Sequence, residues 1–335
     1  SKVMIPLALK GHARPLTIVK YNRDGDLLFS AARDPKPCLW RSDSGVRIGT
    51  FDGHEGAVYG LDVDSSSSRL LTGAADNSIR TWSVASGNVL QTVEVQAIIK
   101  HVQYNHGATQ YLAVYDEKMG VSATVAIFDA YSEDTPYDGP KVEAKVSIVG
   151  HNGIVNKAFW SPLNDRLVTS TDKGKLAIWD VERQTKLQEI DAHKGSCSAM
   201  DISKDFSVIA TGSQDGSVKL WDFRSLKQLN ALENGRPVNA IALSPTQNHL
   251  FVGGGQEASK VTLEGKKGNF EVKIFHTVFS EELGSVEGHF GPINSLAVHP
   301  DGLGFTSGGE DGYIKSYMFD KSYFTDSLAI DELNV

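Results

Sequence analysis

Short runs in which apolar and polar residues alternate recur along the chain, as in Ser217-Val218-Lys219-Leu220-Trp221. A period of two puts successive side chains on opposite faces of a strand. Turn chemistry separates the runs: Asn22-Arg23-Asp24-Gly25 and His299-Pro300-Asp301-Gly302 join Asn, Asp or Pro to Gly, residues that accept tight-turn backbone angles. Only the last dozen residues offer anything like a 3.6-residue apolar period. The pattern predicts an all-β chain.

The alternation is organised by a repeat. Gly-His pairs stand at Gly11-His12, Gly53-His54, Gly150-His151 and Gly288-His289, with Ala192-His193 as a variant. His12 and His54 lie 42 residues apart, as do His151 and His193, and the two longer gaps are each two such periods. The missing marks fall near Gln96-Ala97 and Gly235-Arg236, so the chain holds seven repeats. About 22 residues after a histidine comes an Asp, and six later an aromatic: Asp34 and Trp40, Asp76 and Trp82, Asp215 and Trp221, Asp311 and Tyr317. Four strands per period of this length, with Gly-His and the Trp-Asp pairs at 179–180 and 221–222, resemble WD-repeat blades. The fold expected is therefore a seven-bladed WD-repeat β-propeller, a single domain over residues 1–335. In that resemblance residues 4–9 supply the outer strand of blade 7 and close the ring, leaving no sheet edge to aggregate.

Three repeats depart from the pattern. Repeat 3 keeps strand-like residues 98–104, 110–115 and 123–129, then a polar insertion near 129–142. Repeat 6 keeps 238–243 and 250–253, then an excursion over 254–269 before 270–276. In repeat 4 Asp172 precedes Trp179 by seven residues instead of six, which predicts a bulge or shifted turn. Residues 321–335 form a tail that matches no motif.

Composition narrows the function. A formal charge of −8 argues against a primary role on nucleic acid, which requires a concentrated excess of Lys and Arg. Two distant cysteines, Cys38 and Cys197, can build neither a disulfide framework nor a zinc site, and read as buried thiols in a reducing compartment. No run approaches the length of a membrane span, and the first residues lack a secretory signal, so a cytoplasmic protein is expected.

Each good repeat also offers a hydroxyl, a histidine and an aspartate: Ser30, His12 and Asp34; Thr72, His54 and Asp76; Thr211, His193 and Asp215; Ser307, His289 and Asp311. Read as chemistry this is a hydrolase triad, but an active site occurs once in one cleft, not once per blade. In WD blades the set joins the aromatic of the third strand in a buried network, and that reading is preferred. Gly253-Gly254-Gly255 lacks the Lys-Ser or Lys-Thr of a phosphate loop and reads as a strand end. Lysines 260, 266, 267 and 273 read as solvated, and Ser65–Ser68 as a turn. No histidine cluster has metal-ligand spacing, and no cofactor or catalytic residue is expected.

The degenerate repeats carry a closer likeness. Gly288-His289-Phe290-Gly291-Pro292-Ile293-Asn294-Ser295 in blade 7, Val252-Gly253-Gly254-Gly255-Gln256-Glu257-Ala258 in blade 6 and Gly73-Ala74-Ala75-Asp76-Asn77-Ser78 in blade 2 resemble the i-subunit family of eukaryotic translation initiation factor 3. So do the segments 21–29 and 117–120. The resemblance implies a non-catalytic scaffold that binds a C-terminal helix of subunit b and an N-terminal segment of subunit g, and reaches the small ribosomal subunit through the complex. Matched to the family, Asp205, Leu220 and Asp222 in blade 5 carry the helix-binding role, and Gln256 the subunit g contact. The bland alternative is solvated surface for the aspartates and blade packing for Leu220. Two rival functions remain: a WD-repeat adaptor of a signalling or ubiquitin-ligase assembly, told apart by the proteins it co-purifies with, and a propeller enzyme, told apart by an acid, base or metal set at the channel mouth.

Overall fold

Strands of three to seven residues, mostly six, account for nearly all the regular structure, because each apolar-alternating run is cut short by a turn, many of them carrying Gly, Asn or Asp. A computed structural model describes residues 6–116, 122–133, 142–255, 270–320 and 323–324. Within them, 28 strands form seven antiparallel four-stranded sheets. Blade 2 shows the plan: Val58–Val63 innermost, then Arg69–Ala74, Ser78–Ser83 and Val89–Glu94 outermost. Inner strands of successive blades pack side by side, and that of blade 7, Ile293–Val298, returns to that of blade 1, Leu16–Tyr21, closing a β-propeller.

Closure is made by two segments far apart in sequence. Leu7–Lys10 pairs with Tyr313–Met318, in register from Leu7 opposite Ser316 to Lys10 opposite Tyr313, and completes blade 7. This strand begins and ends later than the 4–9 span expected; residues 1–5 lie outside the described residues. The inserted parts of repeats 3 and 6 (134–141, 256–269) and most of the tail lie outside them as well, along with segment 117–120 and Lys260, Lys266 and Lys267.

The core is divided among the seams. One cluster joins Phe29 and Leu39 of blade 1 to Val58, Leu61, Leu70 and Trp82 of blade 2; another joins Leu9 and Ile314 of blade 7 to Leu16, Val19 and Trp40 of blade 1. Seams this tight exclude side chains at some positions. A Cβ on Gly73 would stand 2.3 Å from Ile99 of the next blade, and one on Gly212 would stand 2.4 Å from Val238. Glycine there sets how closely blades approach.

Repeat 4 contains no shifted turn. Thr169 and Trp179 are ten residues apart, as are Thr72 and Trp82. The bulge between its third and fourth strands recurs in blades 1, 2, 5 and 6. What differs is chemistry: Lys173 occupies the position of Asp76, and Asp172 stands one residue earlier, accepting a hydrogen bond from Ile154 N at 2.7 Å. Cys38 and Cys197 are both buried free thiols, and Ser65–Ser68 lie in the turn after the inner strand of blade 2.

Candidate functional site

The repeated polar sets are assembled, and they are interior. In blade 1 His12 Nδ1 lies 3.0 Å from an Asp34 oxygen and Nε2 2.8 Å from Ser30 Oγ, which also accepts from Trp40 Nε1 at 2.9 Å. Blade 2 repeats this with His54, Asp76, Thr72 and Trp82, at 2.8, 2.7 and 2.8 Å. In blade 7 His289 bridges Asp311 and Ser307, while Tyr317, expected in the set, places its hydroxyl beside Gly288, where a Cβ would lie 2.2 Å away, and stacks its ring on Phe305.

Blade 5 contains a relay. Its His193 Nδ1 bonds Ser217 Oγ at 2.9 Å, Ser217 donates to Asp215 at 2.6 Å, and the direct His–Asp separation widens to 3.7 Å. Ser78 plays a related part in blade 2. The sequence signal was a Ser two residues after the Asp, present in both turns.

Burial decides what these groups can do. Ser30, Thr72, Thr211 and Ser307 have no exposed surface, so no substrate carbonyl can reach a hydroxyl. Burial lowers the pKa of His193 to about 4, keeping the ring neutral. Burial also pushes the Asp76 carboxyl up, but hydrogen bonds from Glu55 N, Ser78 and His54 outweigh it and hold it below the usual carboxylate range. The sets tie the turn between the second and third strands to the blade core. Among the described residues no three His, Cys, Asp or Glu side chains are placed to hold a metal ion.

A surface site lies between blades 5 and 6. The turn 203–208 of blade 5 faces the turn 244–248 of blade 6 across a groove of about 670 Å³. Asn230 of the outer strand of blade 5 donates to Thr277 O at 3.0 Å and fixes one wall. The lining includes Asp205, Leu220, Leu229, Leu243 and Val278, and two of these are apolar yet exposed: Leu229 at 55% and Val278 at 60%.

The residues expected to bind a partner divide around this groove. Asp205 lines it, its carboxylate accepting from Ser203 Oγ at 2.6 Å and Ser207 Oγ at 2.8 Å, bonds that lower its pKa. Leu220 also lines it, but is only 2% exposed and packs with Val238, Ile241 and Leu250. Asp222 ends the same strand, opposite groove-lining Val208, and its carboxylate holds Ser225 N at 2.8 Å and Ser225 Oγ at 2.6 Å, which lowers its pKa. Gln256 lies outside the described residues. Leu229 and Val278 escaped the sequence reading, although apolar residues at otherwise solvated positions were its one available sign.

Comparison with known proteins agrees with this architecture over nearly the full chain. The sequence profile of the EIF3I family matches residues 4–328. Curated relatives carrying the name eukaryotic translation initiation factor 3 subunit I are similar to the chain at 42% identity (Nematostella vectensis), 41% (Bombyx mori) and 39% (Drosophila melanogaster). Each alignment covers 96% of this chain and 97–98% of the relative.

Proposed function

Since the chain belongs to the family of eukaryotic translation initiation factor 3 subunit I, and so to the translation initiation factors, we propose that it works there as a non-catalytic scaffold in the cytoplasm. In this reading the propeller holds a C-terminal helix of subunit b and an N-terminal segment of subunit g, and meets the small ribosomal subunit through the assembled complex. The helix lies in the groove between blades 5 and 6.

The groove is the observation that carries the proposal. Exposed Leu229 and Val278 provide apolar contact area, while Asp205 and Asp222 stand at its edge with carboxylates already oriented by neighbouring hydroxyls. A groove with exposed apolar side chains among polar ones, with Asp205 and Asp222 at its edge and the cation Lys204 on its lining, favours an amphipathic helix with a basic flank that meets the carboxylates, because charge complementarity sets register and apolar burial supplies affinity. Leu220 contributes as the floor beneath the trough. The subunit g contact at Gln256 is supported by the sequence resemblance alone.

The test is capture of a peptide spanning the C-terminal helix of subunit b. Asp222→Lys and Leu229→Asp should each abolish capture; the melting temperature should stay within a degree or two in Leu229→Asp, an exposed site, and fall only a few degrees in Asp222→Lys, which is half-buried and loses its bonds to Ser225. Undiminished affinity in both variants would overturn the groove assignment.

A further inference from the structure

The propeller axis holds a second cavity, of about 540 Å³, which adjoins the groove at Lys204, Leu243 and Pro245 but is otherwise lined by different residues. Its walls come from the inner strands, where residues at the third and fifth positions face the axis. Most are small or apolar, such as Ile18, Ala199, Ala240 and Ala297. The charged residues that line it are Lys20, Arg23, Lys157, Lys204 and Asp201.

The balance among them is basic, in a chain whose total is −8. Lys20 is neutralised by Asp62 of the next blade at 2.6 Å. Asp201 is engaged by backbone, accepting from Leu243 N at 2.8 Å and Ile202 N at 2.9 Å. Lys157 forms no ion pair among the described residues, and it is close enough to Lys20 for the two charges to repel. Desolvation first, and that repulsion second, bring its ammonium down to about 8. The third neighbour, His101, is buried against Phe159 and held neutral by desolvation, then by the charges of Lys157 and Lys20. Among the described residues no carboxylate is paired with Lys157.

A cavity that keeps an ammonium without a carboxylate partner on its wall, with Arg23 and Lys204 also on its lining, is arranged for a multiply charged anion. With Lys20 cancelled by Asp62, three cations face one carboxylate, and a phosphate group at neutral pH carries about −1.5 to −2, which matches the excess. We propose that the axial channel binds a small phosphate-bearing molecule, its charge taken by Lys157 within and Arg23 at the mouth. The site is centred away from the partner groove and adjoins it at Lys204, Leu243 and Pro245, which line both.

Inorganic pyrophosphate is the probe, titrated calorimetrically into the full chain at low salt. One site per chain is expected, weakened at least about ten-fold in Lys157→Met and preserved in Lys157→Arg, since charge is what the site lacks. Lys157→Met removes a desolvated charge, so its melting temperature should not fall. Should that variant nevertheless misfold, Arg23→Met, at an exposed turn, should still weaken binding several-fold. Absence of pyrophosphate binding, unaltered binding in a folded Lys157→Met, unaltered binding in Arg23→Met, or equal binding of malonate would each overturn the proposal.

Discussion

Blades 2 and 6 meet the same structural requirement with opposite chemistry. In blade 2 the second and third strands are joined by Thr72 and Trp82, and His54 and Asp76 complete a polar chain. At the corresponding register blade 6 places Val252 and Phe275, and blade 3 places Ala113 and Phe128, the latter stacked on Tyr111 at 5.3 Å. The lesson is that the network is a unit. Satisfied throughout it is stable, and replaced throughout by apolar groups it is equally acceptable, whereas a half-complete version leaves buried donors without acceptors.

The largest break in that symmetry should come from Thr72→Val, which orphans Trp82 Nε1 and removes the partner of His54 Nε2, an expected loss of about 3 kcal/mol. The mirror change, Val252→Thr, should also destabilise, by about 1–2 kcal/mol, because its hydroxyl enters a fully apolar site. Denaturant unfolding checks both, and a neutral Thr72→Val would mean the blades do not depend on their networks. Asp76→Ala should lose about 2 kcal/mol by leaving Glu55 N and Ser78 N without their carboxylate.

Acid provides a test without mutation. Burial holds His193 at about 4 in the folded chain, against an ordinary value near 6.5. The folded state therefore binds fewer protons between these values, so this contribution is complete above about pH 6.5 and declines as pH falls toward 4. Melting curves should show about 1–2 kcal/mol lost to this residue between pH 7 and 5, and His193→Gln should flatten that slope. Below about pH 4 the depressed carboxylates of Asp76 and Asp311 add their own loss as they become protonated.

The smallest effect concerns blade 4, which is intermediate between the two kinds. It keeps Thr169 and Trp179, bonded at 2.9 Å, but His151 has lost its carboxylate and bonds Ile148 O at 3.1 Å instead. Lys173→Asp should restore the partner and gain about 1 kcal/mol in melting experiments. Equal or lower stability would show that the histidine's alternative bond is as good as the network.

Residue spacing made the seven blades legible before any coordinates, because a hydrogen-bonded set must recur at fixed register if the same turn is to be tied to the same strand. For that reason the sequence positions of His12, Asp34 and Trp40 translate directly into contacts. Spacing failed where it mixed length with identity: Asp172 read as a displaced turn, although the turn has ordinary length and a lysine holds the network position. The groove was only half legible. Asp205 and Leu220 came from resemblance, whereas Leu229, Thr246 and Val278 are brought together by the seam between two blades, which no local pattern records. The axial lysine was invisible for the same reason, since Lys157 looks like any solvated residue of an alternating strand.

The clasp between Leu7–Lys10 and Tyr313–Met318 joins segments some three hundred residues apart. At a synthesis rate of about 5–20 residues per second, the opening strand waits tens of seconds for its partner, and the six earlier blades stand meanwhile as an open arc with two bare edges. A translation initiation factor thus depends, for its own maturation, on the pace at which the roughly three hundred residues after its first strand are translated. Pausing before Tyr313–Met318 is made would prolong the interval in which those edges attract other chains.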